Sequence, residues 1–193
     1  LGIPAFISIF IIADPIISSF FERGEFSATD RILSAKALQA FAVGIPAYIL
    51  VKILMPIFFA RQNTVTPVKI AIFCVFINFL FNIILMQFYQ HVGIAIATAI
   101  SSWLNCILLL YVLLKSNEVV FDKLLKENFK KILIANIIFA ILVYYFKDFI
   151  NIYSSYRFLN LSIFVLLSIS FYILLLNFFK IFIFSNFRLF KLR

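Results

Sequence analysis

Two pairs of oxygen-bearing residues stand four positions apart within apolar segments of the chain. Asn78 and Asn82 form one pair, and Ile94, through its backbone carbonyl, forms the other with Thr98. Residues four apart share one face of a helix, so these oxygens could converge between neighbouring helices. Such oxygens suit a hard cation such as sodium, but polar groups also form hydrogen bonds between membrane helices. The spacing alone favours the hydrogen bonds.

Two charged residues also fall inside apolar segments. Lys52 is either a cavity residue that binds an anionic substrate or a lysine whose long side chain extends to the membrane surface. The sequence supports both interpretations equally. Asp14 precedes Pro15, a pair that favours a helix restarting after a kink, with Asp14 as its N-cap, over an ion-coupling carboxylate.

The residue types that catalysis requires are not grouped in this sequence. His91, the single histidine, stands in a short turn without partner ligands, and Cys74 and Cys106 lie inside apolar runs. We find no Ser/His/Asp or Cys/His set, no glycine-rich phosphate loop and no plausible acid pair. We therefore expect that the chain is not an enzyme and uses no cofactor, apart from the sodium ion considered above.

The composition predicts an integral membrane protein. Of the 193 residues, 65% are hydrophobic and 13% are charged, whereas soluble domains are roughly half apolar. The net charge of +9 comes from basic residues in separate short loops. A nucleic-acid-binding protein gathers such residues on one face, so we expect no nucleic-acid partner.

Six apolar segments organise the chain, and most reach the roughly 20 residues that cross a bilayer. They are residues 1–21, 37–59, 70–88, 93–114, 132–146 and 158–184. The fifth has only 15 uncharged residues, but the lysines at its ends can extend to the membrane surface. We expect an all-α integral membrane fold of six transmembrane helices.

Lysine and arginine are distributed unevenly between the alternate loops, with eleven on one side and five on the other. Because cytoplasmic loops carry the excess of basic residues, the side with eleven is predicted to be cytoplasmic. Both ends of this chain then lie on the cytoplasmic side.

A short polar segment, here called the hinge, separates the second and third apolar segments. Its main residues are Arg61, Asn63, Thr64, Thr66 and Pro67. We expect Asn63 and Thr64 to satisfy carbonyls at the end of one helix, and Thr66 with Pro67 to begin the next.

Three further patterns suggest boundaries. Ser27 and Asp30 form a capping box, so a helix should begin there and run near the membrane surface to about Phe41. Residues 115–131 mix both charges with apolar residues and predict a cytoplasmic amphipathic connector between a first part, residues 1–114, and a last part, residues 132–193. A helix that begins directly at Leu1, without a charged leader, suggests the C-terminal part of a longer protein.

The residues up to about Leu114 resemble, in order, the C-terminal half of the MurJ (MviN) family of lipid II flippases. The resemblance is carried by Gly2-Ile3-Pro4-Ala5, Phe21-Glu22-Arg23-Gly24-Glu25-Phe26, Gly44-Ile45-Pro46-Ala47, Phe58-Phe59-Ala60-Arg61-Gln62-Asn63-Thr64, Thr66-Pro67-Val68-Lys69, and His91-Val92-Gly93-Ile94-Ala95. Beyond Lys115 only the pattern of two further helices agrees.

The resemblance implies a fold and a function. Members of this family have fourteen helices, arranged as two six-helix lobes of the MOP transporter superfamily plus two C-terminal helices, and this chain would supply helices nine to fourteen. The implied activity is alternating access in the bacterial inner membrane, which carries undecaprenyl-linked lipid II to the outer leaflet for peptidoglycan synthesis. The implied partners are lipid II, membrane lipids and the N-terminal lobe of the same protein.

The resemblance also bears on the candidate residues. A sodium site described in some family members lies among helices seven, eleven and twelve, and its positions on the last two match Asn78, Asn82, Ile94 and Thr98. Asn82 stands where the sodium-binding form has an aspartate, and the helix-seven carboxylate would belong to the part of the transporter that this chain lacks. The last two helices of the family form a groove suited to a polyprenyl tail. Two other functions stay open: a flippase or exporter of another lipid-linked glycan or amphiphile, and a non-transporting scaffold of a cell-envelope complex.

Overall fold

The computed structural model describes residues 2–22, 24–116, 123–151 and 157–179. Within these ranges the chain forms six long helices: α1 (Gly2–Phe21), α2 (Ala28–Ala60), α3 (Val65–Tyr89), α4 (His91–Lys115), α5 (Lys123–Phe146) and α6 (Arg157–Phe178). A 3-10 helix, Lys147–Asn151, follows α5. All six long helices are long and apolar enough to cross a membrane, which confirms the expected all-α fold with six candidate spans.

The helices extend beyond the apolar segments that predicted them. Helix α5 begins at Lys123, and its candidate span Glu127–Phe146 has 20 residues, so the short fifth segment still provides a full crossing. Helix α6 ends at Phe178, and the predicted continuation over residues 180–184 lies outside the described residues.

The chain divides into two compact units, Leu1–Val120 and Phe121–Arg193. In the first unit, α1 packs on α2, α2 packs on α4, and α4 packs on α3. The core between α2 and α4 is apolar and contains Ala47, Leu54, Phe58, Cys106, Leu109 and Leu113. Helix α3 buries only Pro67 and Cys74, because α4 is its main neighbour in this unit.

The start of α2 is fixed by the predicted capping box, which is confirmed. The Ser27 hydroxyl accepts a hydrogen bond from the Asp30 backbone N–H at 3.2 Å, and the Asp30 carboxylate accepts one from the Ser27 backbone N–H at 3.1 Å. At 1.5 Å per residue, the 33 residues of α2 span about 50 Å, well over the roughly 30 Å of a hydrocarbon core.

The expected role of Asp14 as an N-cap is wrong. The break in α1 lies at Ile12, whose φ and ψ are −103° and 20°, two residues before Asp14. The Asp14 carboxylate instead lies 3.2 Å from Arg31 Nε, and Arg31 Nη1 lies 3.5 Å from the Glu22 carboxylate. Because Arg31 lies in the first turn of α2, these ion pairs join the start of α2 to the second half of α1 and to the residue that follows α1.

Two side chains donate to backbone carbonyls close to the prolines inside α1 and α2. Pro15 and Pro46 lack an N–H and leave the carbonyls of Ile11 and Ala42 without their usual donors. Gln39 Nε2 donates to the Phe10 carbonyl at 3.0 Å, and Trp103 Nε1 donates to the Val43 carbonyl at 2.9 Å. Donors from neighbouring helices thus bond carbonyls adjacent to the two that the prolines free.

The second unit pairs α5 with α6 through one buried face of each helix. This mostly apolar interface contains one buried amide, since Asn136 is only 3% exposed and donates to the Ile132 carbonyl at 2.8 Å and to the Tyr172 hydroxyl at 3.4 Å. The Tyr172 ring packs edge-on against Phe139 with centroids 5.1 Å apart. Beside this contact lies an apolar groove of about 350 Å³, lined by Leu142, Phe146, Phe164, Leu167, Ser168 and Phe171.

Candidate functional site

The interface between α3 and α4 is set by a very short connection. Only Gln90 separates the two helices, and its φ is 52°. At the start of α4, Gly93 lies so close to α3 that a Cβ there would come within 2.3 Å of the Leu85 carbonyl oxygen. The small-residue series Gly93, Ala97, Ser101 and Asn105 recurs every fourth residue, and such series let helices approach closely. This contact fixes the register of α3 against α4.

In that register the amides of α3 meet the hydroxyls of α4. Asn82 Nδ2 donates to Asn78 Oδ1 at 2.8 Å, and Asn78 Nδ2 donates to the Ser101 hydroxyl at 2.9 Å. The Ser101 hydroxyl donates in turn to the Thr98 carbonyl at 3.0 Å, and the Thr98 hydroxyl donates to the Ile94 carbonyl at 2.8 Å. The four predicted residues therefore belong to one hydrogen-bonded network.

Ser101 is the residue that joins the two predicted pairs, and the spacing argument did not identify it. Its position in the small-residue series indicated packing only. Its distance of three residues from Thr98 is the signal that the sequence did contain, since a serine can bond the carbonyl three or four residues earlier. Its contact with Asn78 depends on the register of α3 and α4, which no local pattern provides.

One oxygen of this network has no donor. Asn82 Oδ1 is buried, and no hydrogen-bond partner lies within reach of it among the residues that the structure describes. A buried carbonyl without a partner carries a desolvation cost of about 1–3 kcal/mol, which a cation or a water molecule could remove. Of the predicted oxygens, Asn82 Oδ1 could thus accept a cation or a water molecule, whereas Asn78 Oδ1 and the Ile94 carbonyl already accept hydrogen bonds from Asn82 and Thr98. No group of three or more His, Cys, Asp or Glu side chains suited to a metal occurs among the described residues.

The hinge has a different capping arrangement from the one expected. The Asn63 backbone N–H satisfies the Phe58 carbonyl at 3.0 Å, but its side-chain oxygen accepts from the Thr66 backbone N–H at 3.2 Å. Asn63 therefore closes α2 with its backbone and begins α3 with its side chain. Thr64 is the N-cap residue of α3, where its side chain makes no capping bond, and its expected role at the end of α2 stays a prediction.

The remaining hinge residues and Lys52 lie apart from the α3–α4 network. Pro67 is buried in the first turns of α3, whereas Arg61 is exposed at the end of α2. Lys52 is exposed on α2 between Pro46 and Pro56, and no ion pair involves it among the residues that the structure describes.

Comparisons with known proteins identify the family. A family model described as "Lipid II flippase MurJ" matches residues 1–181. The chain belongs to the lipid II flippase MurJ family. Its similarity to individual MurJ proteins agrees with this family assignment. It is 38% identical over 166 residues to a "Probable lipid II flippase MurJ" of Rickettsia prowazekii, which covers 84% of this chain and 32% of that relative. A relative of the same description from Haemophilus influenzae is 37% identical over 158 residues, or 82% of this chain and 31% of the relative.

The fold agrees with a solved MurJ structure. A chain described as "Lipid II flippase MurJ, inward closed conformation" superposes with a TM-score of 0.72 at 25% identity, covering 93% of this chain and 36% of that one. The present chain thus spans about a third of the length of the MurJ relatives that it matches.

Proposed function

We propose that this chain is the C-terminal part of a lipid II flippase, a transporter that moves the undecaprenyl-linked peptidoglycan precursor from the cytoplasmic to the outer leaflet. The observation that carries the proposal is membership of the MurJ family over residues 1–181. The six candidate spans support a multi-pass protein of the bacterial inner membrane. The excess of basic residues in alternate loops supports cytoplasmic positions for both ends of this chain.

The two compact units support a division of labour within the proposed flippase. Residues 1–114 would form the last four helices of the C-terminal lobe, and residues 132–193 would form two additional helices. Residues 115–131 would connect them on the cytoplasmic side, although residues 117–122 lie outside the described part. The remaining helices of the transporter, including the N-terminal lobe, would complete the cavity that this chain lines from one side.

The experiment that tests the proposed function is depletion of the encoded protein in its own cells. We expect lipid II to accumulate in the cytoplasmic leaflet, where a probe applied from outside cannot reach it. Re-expression of the encoded protein should restore surface labelling. If labelling of lipid II at the surface stays normal while the protein is depleted, the flippase function is wrong and a scaffold or another substrate takes its place.

We also propose a cation role for the α3–α4 network. Sodium would bind the oxygens of Asn78, Asn82, Ile94 and Thr98, and the unpartnered Asn82 Oδ1 supports this assignment. This chain would contribute no charge to the site, because an amide stands at position 82, so we expect weaker binding than with an aspartate there. The chemistry that the ion would supply is positive charge at the α3–α4 interface, which these residues would hold in place.

Lys52 is proposed as a cavity residue for an anionic substrate group. Its exposed position on α2 supports contact with the interior of the complete transporter, where a charge at membrane depth is tolerated. Substitution of Lys52 by leucine in the encoded protein should then reduce the flipping rate at least tenfold, because the pyrophosphate would lose a counter-ion. A tenfold effect corresponds to about 1.4 kcal/mol of lost binding free energy.

The measurement for Lys52 is complementation of cells depleted of their own flippase, with protein abundance measured in the same cells. A matched control is Ile53→Leu, which changes the next exposed residue of the same helix without altering charge. Full complementation by Lys52→Leu would show that the lysine only extends to the membrane surface.

Two further segments have proposed roles that follow from their shape. The apolar groove of α5 and α6 would hold part of the polyprenyl tail, and its lining of aromatic and aliphatic side chains supports an isoprenoid occupant. The hinge, with Arg61, Asn63, Thr64, Thr66 and Pro67, would be a mechanical link between α2 and α3 and not a substrate site. The Asn63 bonds to both neighbouring helices support that assignment.

A further inference from the structure

Ser101 makes two hydrogen bonds of opposite kind. Its hydroxyl donates to the Thr98 carbonyl at 3.0 Å and accepts from Asn78 Nδ2 at 2.9 Å. A serine hydroxyl has one hydrogen, and here that hydrogen is used on the Thr98 carbonyl. The side of the oxygen that faces Asn78 therefore presents lone pairs.

This arrangement decides which end of the Asn78 amide points at Ser101. The nitrogen and oxygen ends of an amide have nearly the same shape, but only the nitrogen can donate to a lone pair. A reversed amide would place Asn78 Oδ1 against the Ser101 lone pairs and its NH₂ group against Asn82 Nδ2. The contact with Asn82 would then join two donors, and Ser101 could bond the reversed amide only by turning its hydrogen away from the Thr98 carbonyl. Because Ser101 is only 8% exposed, water could not readily replace the lost bonds.

We infer that Ser101 is a positioning residue for the proposed cation site, because it orients the Asn78 amide so that Oδ1 points toward Asn82 and away from α4. The inference rests on the proposed cation role of Asn78 and Asn82. Without the Ser101 hydroxyl the Asn78 amide can rotate and present its NH₂ group to the ion. The NH₂ group of an amide presents partially positive hydrogens and no lone pair to a cation, so sodium affinity falls although both asparagines remain.

The neighbouring serine provides a matched control. The Ser102 hydroxyl donates to the same Thr98 carbonyl at 2.6 Å and is equally buried, at 8% exposure. No hydrogen bond joins Ser102 to Asn78 in the described structure. Loss of either hydroxyl removes one bond to Thr98, but only loss of Ser101 frees the Asn78 amide.

The first measurement is a double-mutant cycle on the encoded protein, purified in detergent with choline as the only monovalent cation. We expect the Tm losses of Asn78→Ala and Ser101→Ala to be non-additive, since they remove the two ends of one bond. The losses of Asn78→Ala and Ser102→Ala should add. Additive losses in the first pair would overturn the inference whatever sodium does.

The second measurement is the sodium concentration that gives half of the sodium-dependent rise in Tm. Ser101→Ala should raise this concentration at least threefold, whereas Ser102→Ala should leave it unchanged. Equal changes in both variants would contradict a positioning role. If the unmodified protein shows no sodium-dependent rise, the proposed cation role fails, while a non-additive cycle still establishes that Ser101 orients Asn78. Should Ser101→Ala not fold, Ser101→Cys provides a similar volume with a much weaker donor and acceptor.

Discussion

Substitution of Gly93 by alanine is expected to cost more stability than alanine at any of the other three glycines of this chain. The new Cβ would lie 2.3 Å from the Leu85 carbonyl oxygen and 2.4 Å from its carbon. These are backbone atoms inside α3, so they cannot rotate aside as a side chain could. Helix α4 would have to move away from α3 at a connection of one residue. We expect a cost of about 3 kcal/mol or more, the upper end for overpacking.

The measurement is thermal unfolding of the purified encoded protein, together with its abundance in the membrane. Two other glycines provide graded controls. Gly44→Ala brings a Cβ to 3.3 Å from the Ala99 Cα, and Gly24→Ala meets nothing within 4 Å but keeps a φ of +61°. The Gly24 substitution should therefore cost only the roughly 1–2 kcal/mol of a left-handed residue with a side chain. A Gly93 variant as stable as the Gly24 variant would contradict the close approach of α3 and α4.

Conversion of Asn82 to aspartate is expected to make the stability of the protein strongly dependent on sodium. Without sodium the new carboxylate cannot donate to Asn78 Oδ1, so the 2.8 Å bond becomes a contact between two acceptors. With sodium the carboxylate gains a charged ligand. Two unit charges about 4 Å apart attract by roughly 4 kcal/mol at an effective dielectric constant of 20. The cost of removing both charges from water reduces this gain. We therefore expect a Tm below that of the unmodified protein in choline, and at least tenfold tighter sodium binding.

Melting curves in sodium and in choline measure both effects, and Asn82→Ala should abolish the sodium response. Asn105→Asp is the matched control, because Asn105 also has an oxygen without a partner but is not one of the proposed ligands. It should lower Tm in both salts alike. Identical curves for Asn82→Asp in sodium and in choline would exclude a cation site at this position.

The helices of this fold could be predicted because the length and hydrophobicity of a single segment are enough to indicate a membrane-spanning helix. The capping box of Ser27 and Asp30 could be predicted for the same reason, since all its atoms lie within four consecutive residues. The break in α1 could not, because Pro15 disturbs a turn without specifying which residue leaves helical geometry, and Ile12 leaves it. The ion pairs of Arg31 with Asp14 and Glu22 required the packing of α1 against α2.

In the candidate site, too, contacts within one helix could be predicted and contacts between helices could not. Spacing placed Asn78 with Asn82 and Ile94 with Thr98, since both pairs lie within single helices. The link through Ser101 depends on how far α4 is shifted along α3, and Gly93 against Leu85 determines that shift. Similarly, composition marked the hinge as polar, but whether Asn63 reached backward or forward depended on the path of the chain around Gln62, whose φ is 55°.

The donors that Gln39 and Trp103 provide near the prolines have a mechanical consequence. A change in the bend of α1 must separate Gln39 from the Phe10 carbonyl, and a change in the bend of α2 must separate Trp103 from the Val43 carbonyl. Each separation would leave the Gln39 amide or the Trp103 N–H without its acceptor, and an unsatisfied polar group in hydrocarbon costs several kcal/mol. Movement of α1, α2 and α4 together as one rigid body keeps both hydrogen bonds. It should therefore cost less free energy than bending α1 or α2 alone. Helix α3 also packs tightly against α4 at Gly93. A proposed ion bound between α3 and α4 would therefore affect the position of all four helices.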